Sequence, residues 1–299
     1  MQVVLSGASG LIGTALKDRL RSDGHSLVSL VRRPPASDEE RQWDPAGGRL
    51  GVDVLAHADA VINLSGAGVG DHRWSDSYKQ TLLASRLEPT STLTACLNEL
   101  GSDGPATFIS ASAVGYYGDG GDRILTEDAP PGDGFLADLA RQWEHAASQA
   151  DRDGRRVVLL RTGLVVAPSG GLLGRLTPLV KLGLGGPLGS GRQFQPWISL
   201  DDEVGAISFL LGGTARGVTG PVNLTGPDPV RQIEFVRTLA RVLHRPAVLP
   251  APAVGLRLVL GQFADEGVLI GQRAVPAALT RAGYQFVHPT LEAALRAAV

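Results

Sequence analysis

Three glycines at intervals of three residues follow a short apolar run at the start of the chain and open a helical pattern. The run is Gln2–Ser6, the glycines are Gly7, Gly10 and Gly13, and apolar residues then recur at helical spacing. In a strand, turn and helix of this kind the first glycine allows a tight turn, the second lets a pyrophosphate approach the backbone, and the third lets the helix pack on the strand. The pattern predicts a dinucleotide site, with a turn that binds nothing as the alternative. The predicted cofactor contacts here are Gly7, Ser9, Gly10, Leu11, Ile12 and Gly13.

The second apolar run ends in two arginines, where an NAD site usually has an acidic residue. The run His25–Val31 is followed by Arg32 and Arg33 and then by two prolines, which stop a strand. A guanidinium can bind a phosphate through two hydrogen bonds, whereas the acidic residue of NAD sites holds a ribose hydroxyl. Arg32 and Arg33 therefore predict NADP(H) as the cofactor. The alternative is a solvated basic strand end.

A third apolar run, Ala60–Leu64, leads into the small residues Ser65 and Gly66. Because the carboxyl ends of parallel strands meet at the edge where ligands bind, we expect Leu64, Ser65 and Gly66 to approach the adenosine half of the cofactor. A plain exit from strand to loop is the alternative. Ser110, which ends the run Ala106–Ser110, is predicted as a further cofactor contact at the same edge.

The apolar runs of the first half are continuous rather than alternating, which is typical of parallel strands covered by helices on both faces. Helical patterns at Tyr78–Leu100 and Phe135–Ala150 separate them. Residues 1–165 are therefore predicted to form an α/β domain, a Rossmann-type doubly wound parallel sheet. Residues 166–299 are predicted to form a smaller C-terminal substrate lobe with some segments returning to the first domain, and the glycine-rich and proline-rich span 169–196 is predicted to be mainly loops. Later predicted elements are the strands Trp197–Leu200 and Val222–Thr225 and the helices Asp202–Leu211, Pro229–Leu243, Pro252–Leu260 and Leu291–Val299.

Net charge and cysteine content exclude several kinds of protein. A formal charge of -2 and a pI near 6.3 give no electrostatic reason to expect a nucleic acid as partner. The single cysteine, Cys96, excludes an internal disulfide and suits a reducing compartment. The six histidines show no paired spacing, so no metal site is expected. We find neither the basic region of a signal peptide nor a run of about 18 apolar residues, and we expect a cytoplasmic protein without a membrane span.

Several further motifs occur together along the chain, and their combination resembles one enzyme family. Besides the glycine turn they are Asn63–Gly66, Arg73-Trp74, Ser85-Arg86, Ile109–Gly118, Trp143-Glu144, Gly183–Gly191 and Pro196–Ile198. The chain resembles the extended and atypical short-chain dehydrogenase/reductases, and within them an epimerase-like family with a C-terminal domain of unknown function. The resemblance covers nearly the whole chain. It implies a Rossmann-type domain, NADP(H), and cofactor contacts from Arg32, Leu64, Ser65 and Arg86.

The proton relay of that superfamily is missing from this sequence. Its redox enzymes use a tyrosine with a lysine four residues later, because the lysine lowers the tyrosine pKa from about 10 towards the working pH. No tyrosine here has a lysine at that spacing, and the helix expected to carry the pair has Leu136 and Ala140 at those positions. Any chemistry would therefore need a different proton donor.

Two other positions depart from the family pattern. The hydroxyl residue usually found before the Tyr-Gly motif falls on Ala113, and the arginine that commonly holds a sugar diphosphate falls on Gln195. Both departures argue against a nucleotide-sugar substrate. Arg161 and Arg192 are left either as anion ligands or as members of structural ion pairs.

Ser112 and Tyr117 are the catalytic candidates, because both follow the buried run Ala106–Ser110 on the expected nicotinamide side. The alternative is that Ser112 hydrogen-bonds the backbone and Tyr117 packs beneath the loop. The acidic residues of the next loop are expected to form a solvated face rather than line the cleft. These acidic residues are Asp119, Glu127, Asp128 and Asp133.

Two functions fit a sequence that keeps the cofactor-binding motifs but lacks the usual catalytic Tyr–Lys pair. The first is an NADP(H)-dependent oxidoreductase or epimerase-like enzyme acting on a small, unknown substrate between the lobes, which the glycine-rich segment Gly183–Gly191 favours. The second is a catalytically weak NADP(H)-binding protein that reports redox state to a partner. By analogy with superfamily relatives, the helices at Tyr78–Leu100 and Phe135–Ala150 could form a homodimer.

Overall fold

Thirteen strands and ten helices make up the structure, a computed structural model that describes residues 1–299. The strands are β1 (Gln2–Ser6), β2 (Ser26–Val31), β3 (Glu40–Gln42), β4 (Ala60–Asn63), β5 (Thr107–Ala113), β6 (Ile124–Leu125), β7 (Arg156–Thr162), β8 (Leu164–Val166), β9 (Phe194–Gln195), β10 (Trp197–Ser199), β11 (Gly220–Leu224), β12 (Val230–Arg231) and β13 (Arg273–Ala274). The helices are α1 (Leu11–Ser22), α2 (Asp53–Ala56), α3 (Asp76–Leu100), α4 (Phe135–Ser148), α5 (Gly171–Lys181), α6 (Leu200–Leu211), α7 (Gln232–Val242), α8 (Ala253–Leu260), α9 (Ala277–Arg281) and α10 (Leu291–Ala298).

Seven strands form one sheet in the order β11-β7-β5-β4-β1-β2-β3. Every pair in it is parallel, and Val3 of β1 lies between Leu27 of β2 and Ala60 of β4. The strand order therefore reverses beside β1, and in such sheets the crevice at the carboxyl ends of the strands at this reversal is where ligands bind. The topology confirms the predicted Rossmann-type doubly wound parallel sheet.

The sheet is covered by helices on both faces, as the continuous apolar runs predicted. On one face, Leu16 of α1 and Ile207 of α6 join sheet residues such as Leu5 in a core cluster. On the other face, α3 and α4 pack on the sheet, with Leu97 beside Phe108 in a second cluster. Burial of these apolar side chains on both faces is the main force that holds the sheet and its helices together.

A third apolar cluster joins elements of the second half of the chain and shows that one prediction was wrong. Helix α5 lies inside the span predicted to be mainly loops, and its Leu173 and Val180 are buried with Phe235 of α7 and Leu295 of α10. The helix forms because its apolar residues recur at helical spacing and find a partner surface, despite its glycines and Pro178.

Other elements match the predictions to within a few residues. Helix α7 begins at Gln232 rather than at Pro229, because Val230 and Arg231 pair with β9 as a short strand. Strand β11 lies beside β7 at the end of the main sheet, so part of the second half of the chain completes the sheet. None of the helices is both long enough and apolar enough to span a bilayer.

Candidate functional site

The glycine turn between β1 and α1 has the geometry that a pyrophosphate needs. Gly7 has φ +73°, and a Cβ there would lie 2.5 Å from the Leu64 carbonyl oxygen; a Cβ on Gly13 would collide with the Gly7 carbonyl. A Cβ on Gly10 would meet nothing closer than 3.4 Å, so this position is open. The backbone thus requires glycine at the first and third positions for packing, whereas Gly10 leaves space for a ligand.

The first turn of α1 presents free backbone amides to this space. Gly10 is the N-cap and no side chain caps the helix, so the first amides keep their hydrogen-bonding capacity and the positive end of the helix dipole. Ser9 is exposed, and Leu11 and Ile12 are half-buried beside the turn. An anionic cofactor group would be stabilised here.

The two arginines after β2 differ in their surroundings. Both oxygens of the Glu40 carboxylate accept hydrogen bonds from the Arg33 guanidinium at 2.7 Å, and this contact lowers the pKa of Glu40 to about 2. Arg32 forms no ion pair and lines a pocket of about 450 Å³ at the ends of β2 and β3. Of the two predicted phosphate ligands, only Arg32 has a guanidinium free to bind.

The pocket beside Arg32 includes residues that the sequence analysis missed. These are Gln42, Trp43, Asp44, Pro45, Ala46, Arg49 and Glu88. They were missed because β3 is only three residues long and gives no periodic signal, although Trp43 directly follows it. Arg49 forms an ion pair with Asp44 at the rim, so a second cation lies near Arg32.

A chain of hydrogen bonds fixes the loop that follows β4. The Ser65 hydroxyl donates to the Ser6 hydroxyl at 3.0 Å, which donates to the Asn63 side chain at 2.6 Å. Asn63 in turn donates to Thr90 of α3 at 2.9 Å and to Ser110 of β5 at 3.4 Å. Ser110 is fully buried in this network, so its side chain holds strand ends together and is not exposed to the crevice.

Arg86 lies beneath the same loop as a buried cation. Its guanidinium donates to the Ala67 carbonyl at 2.9 Å, lies 5.1 Å from the Trp143 ring, and would be 3.3 Å from a Cβ on Gly66. No carboxylate pairs with it, and burial lowers its pKa to about 10. A buried, unpaired cation beside the crevice favours an anionic ligand there.

Ser112 and Tyr117 point into a buried polar cluster. Ser112 donates to a Glu144 carboxylate oxygen at 2.6 Å, and the same carboxylate accepts two hydrogen bonds from Arg161 at 2.8 and 2.9 Å. Arg161 also donates to the Tyr117 hydroxyl at 2.9 Å, and that hydroxyl donates to Asn223 at 2.7 Å. Arg161 is thus a member of a structural ion pair, the second of the two roles left open for it.

The electrostatics of this cluster are unlike those of a proton relay. Burial raises the pKa of Tyr117 to about 12, against the effect of Arg161, and the tyrosine is only 1% exposed. Burial also acts to lower the pKa of Arg161, but the Glu144 contact outweighs it and raises that pKa. The geometry therefore favours the packing role for Tyr117, while Ser112 bonds a carboxylate rather than the backbone.

No amine takes the place of the missing relay lysine. Leu136 packs beside Gly115, where a Cβ would lie 3.3 Å from that of Leu136. The amine of Lys79 donates to the Gln262 side chain and lies 5.4 Å from the Phe135 ring centroid. The expected tyrosine position of the usual pair thus holds an apolar side chain that packs against the turn after β5.

The acidic loop is only partly the solvated face that the sequence predicted. Asp119, Asp128 and Asp133 are exposed, but Glu127 is buried. One Glu127 carboxylate oxygen accepts backbone hydrogen bonds from Asn223 at 3.1 Å and Ala278 at 3.0 Å. This carboxylate satisfies amides where β11 and α9 meet, a long-range role that local composition does not reveal.

Comparison with known proteins agrees with this geometry. Residues 3–224 match the NAD dependent epimerase/dehydratase family, and residues 251–298 match a domain of unknown function, DUF1731. The chain is 49% identical over 293 residues to the epimerase family protein Mb2239 of Mycobacterium bovis, covering 98% of this chain and 96% of that one. It superimposes on the crystal structure of human epimerase family protein SDR39U1 with NADPH at a TM-score of 0.88 and 32% identity, covering 100% and 99% of the two chains.

A structure described as a nucleoside-diphosphate sugar epimerase from Corynebacterium glutamicum also matches, at a TM-score of 0.81 and 34% identity. It covers all of this chain but 58% of that one. The family match confirms the resemblance drawn from the motifs.

Proposed function

Since the chain belongs to the NAD-dependent epimerase/dehydratase family, we propose that it is an NADP(H)-dependent oxidoreductase or epimerase-like enzyme that acts on a small substrate without the Tyr–Lys pair. The observation that carries the cofactor assignment is the unpaired Arg32 at the pocket after β2, beside Arg33 held by Glu40. Human SDR39U1, with which the chain shares 32% identity, was crystallised with NADPH. When bound, this cofactor would supply or accept a hydride.

The residues present fit such a cofactor. The open face of Gly10 and the free amides of α1 suit a pyrophosphate, and Arg32 suits a 2′-phosphate. Leu64, Ser65 and Gly66 border the crevice, with the unpaired Arg86 beneath them. We retain Gly7, Ser9, Leu11, Ile12, Gly13 and Ser110 as proposed members of the site, with Ser110 acting through the hydrogen bonds described above. Arg33 is proposed to border the site without binding the phosphate, because Glu40 holds its guanidinium.

Arg32→Ala is expected to weaken NADPH binding by about 1.5–3 kcal/mol, because a charged hydrogen-bond partner of the 2′-phosphate is lost. Arg33→Ala is the matched control and should change NADPH affinity much less, since Arg33 already binds Glu40. Titration of both variants with NADPH and NADH, followed by nucleotide fluorescence, measures the effect. NADH affinity should stay nearly constant in both. Equal losses for the two nucleotides in Arg32→Ala would remove Arg32 from this role.

We keep Ser112 and Tyr117 as the proposed residues for catalysis, and their burial makes the test demanding. NADPH oxidation is followed while a panel of carbonyl compounds is added, with the unchanged protein, Ser112→Ala and Tyr117→Phe. Lost turnover with unchanged NADPH affinity and unchanged urea midpoint supports a catalytic role. Full turnover in both variants assigns the two hydroxyls to the Arg161–Glu144 cluster alone.

The second candidate, a redox-reporting NADP(H)-binding protein, is favoured by the burial of both hydroxyls and by the missing relay. Tight NADPH binding with no turnover on any carbonyl compound, together with a partner whose affinity depends on the cofactor, would support it. Cytoplasmic location and a homodimer through α3 and α4 stay predictions.

A further inference from the structure

Eight of the twelve large apolar side chains that the structure leaves exposed lie in two segments of the C-terminal lobe. We call these eight the apolar surface. They are Leu179, Leu182, Leu184, Val248, Leu249, Val254, Leu258 and Val259.

Backbone contacts join the two segments into one region. The Leu249 amide donates to the Gly185 carbonyl at 3.0 Å, and the Ala251 amide donates to the Pro187 carbonyl at 2.9 Å. Arg245 donates to the Lys181 carbonyl at 3.1 Å. The segment after α5 and the strip that leads into α8 therefore run side by side, so Leu184 and Leu249 lie in one surface region from which α8 continues.

Helix α8 is apolar on the face that it turns outward. Ala253, Leu256 and Leu260 are half-buried and form its inner face, whereas Val254 and Leu258 lie four residues apart on the outer face. A surface helix normally carries polar residues on its outer face. Leu258 is 72% exposed and Leu182 is 74% exposed, so folding of the chain does not account for them.

The charged side chains within the two segments that carry this surface are all cationic. Residues 169–190 and 244–263 contain Arg175, Lys181, Arg245 and Arg257 but neither aspartate nor glutamate. Arg175 and Arg257 are paired with acidic residues from other segments, Asp71 and Asp265. Lys181 and Arg245 have no ion-pair partner and are exposed. Two unpaired cations beside exposed aliphatic side chains favour a partner that is both apolar and anionic.

The unpaired cations argue against a second copy of the chain as the partner that covers the apolar surface. In a twofold-symmetric dimer the same surface meets itself, so Lys181 and Arg245 of both copies would come together without carboxylates between them. The composition of the apolar surface, which is only leucine and valine, also argues against another protein as the partner, since interface hot spots are rich in Trp, Tyr and Arg and poor in Leu and Val. A bilayer accommodates protruding aliphatic side chains flanked by cations.

We propose that the apolar surface docks this protein on an anionic phospholipid membrane as a peripheral contact. One of the same elements reaches the crevice, since Gly171 at the start of α5 lies beside Leu11, which follows the glycine turn. Docking thus places the crevice next to the lipid surface, where an apolar substrate would be concentrated. This inference does not require that the protein turn over any substrate.

The test uses flotation of the full chain with phosphatidylcholine vesicles, with or without about 30% phosphatidylglycerol. We expect binding to the anionic vesicles at low salt and a decrease of at least about tenfold in the Leu182→Ser/Leu258→Ser variant. Lys181→Gln/Arg245→Gln should reduce binding roughly tenfold. The matched control is Val287→Ser, a substitution of a valine 61% exposed outside the apolar surface, and it should bind normally.

The urea concentration at the midpoint of unfolding, measured for every variant, establishes that each of them folds. No binding to anionic vesicles, or binding that the leucine substitutions leave unchanged, overturns the proposal. Sedimentation analysis tests whether a second copy of the chain covers the apolar surface instead. A dimer that Leu182→Ser/Leu258→Ser abolishes, together with no vesicle binding, would also overturn the proposal. Because vesicle binding is measured without nucleotide, failure of this proposal is separate from failure of the proposed function.

Discussion

Glu144→Ala is expected to lower the free energy of unfolding by about 3–5 kcal/mol, because it leaves the Arg161 guanidinium buried without its counter-ion. Both Glu144 oxygens accept hydrogen bonds from Arg161, and both residues are almost fully buried. The Arg161 guanidinium also lies 3.6 Å from the centre of the Tyr116 ring, so it has little freedom to move towards water. Urea denaturation measures the loss.

An exposed ion pair provides the matched control for Glu144→Ala. Glu292 accepts a hydrogen bond from Arg296 at 2.7 Å on the surface of α10. Glu292→Ala should lower the urea midpoint much less than Glu144→Ala does, because water solvates both arginines that pair with Glu292, Arg241 and Arg296. Similar losses in the two variants would contradict the assignment of Arg161 and Glu144 as a buried pair.

Removing both charges tests the physical cause more directly. Glu144→Ala/Arg161→Met should recover part of the stability lost in Glu144→Ala, since no unpaired charge then stays buried. Ser112 and Tyr117 would each lose a partner in this variant, so recovery should be incomplete. A double variant less stable than Glu144→Ala would show that the arginine contributes mainly through packing.

The main sheet could be predicted because its signals are local. Continuous apolar runs identified β1, β2, β4 and β5, and the glycine turn placed the crevice beside the first of them. Helix α5 was missed because composition suggested loops, whereas its stability comes from contacts with α7 and α10. Tertiary packing outweighed local preference there.

The sequence predicted which residue types lie at the candidate site but not which side chains they contact. The sequence places Arg32 and Arg33 side by side, and only the fold brings Glu40 to Arg33 through the pairing of β3 with β2. Ser112 was predicted to face the nicotinamide side, yet α4 brings Glu144 to its hydroxyl. Contacts between residues that are distant in the chain carry no periodic or compositional signal.

Glu203 on α6 provides the second large prediction, a pH-dependent loss of stability. The side chain is fully buried, one carboxylate oxygen accepts a hydrogen bond from Thr162 at 2.8 Å, and the other has no partner. Burial raises the pKa of Glu203 to about 8, although the Thr162 hydrogen bond opposes the shift. The carboxyl is therefore protonated in the folded protein at neutral pH.

The sign of the effect follows from where the proton is held. Between the unfolded pKa, about 4.3, and the folded value of about 8, the folded state keeps a proton that the unfolded state has lost. Stability then falls as pH rises, by up to about 1.4 kcal/mol per pH unit, and is fully present only below the unfolded pKa. Glu203→Gln is neutral at every pH and can still accept from Thr162, so it should escape this loss.

We expect the stability of Glu203→Gln to match that of the unchanged protein near pH 4 and to exceed it by roughly 4–5 kcal/mol near pH 8. Urea denaturation at a series of pH values measures the difference. Glu234→Gln, a substitution at an exposed residue in the first turn of α7, should leave the shape of the pH curve unchanged. Parallel curves for the unchanged protein and Glu203→Gln would mean that Glu203 is ionised in the fold, and a buried partner or water would then have to compensate its charge.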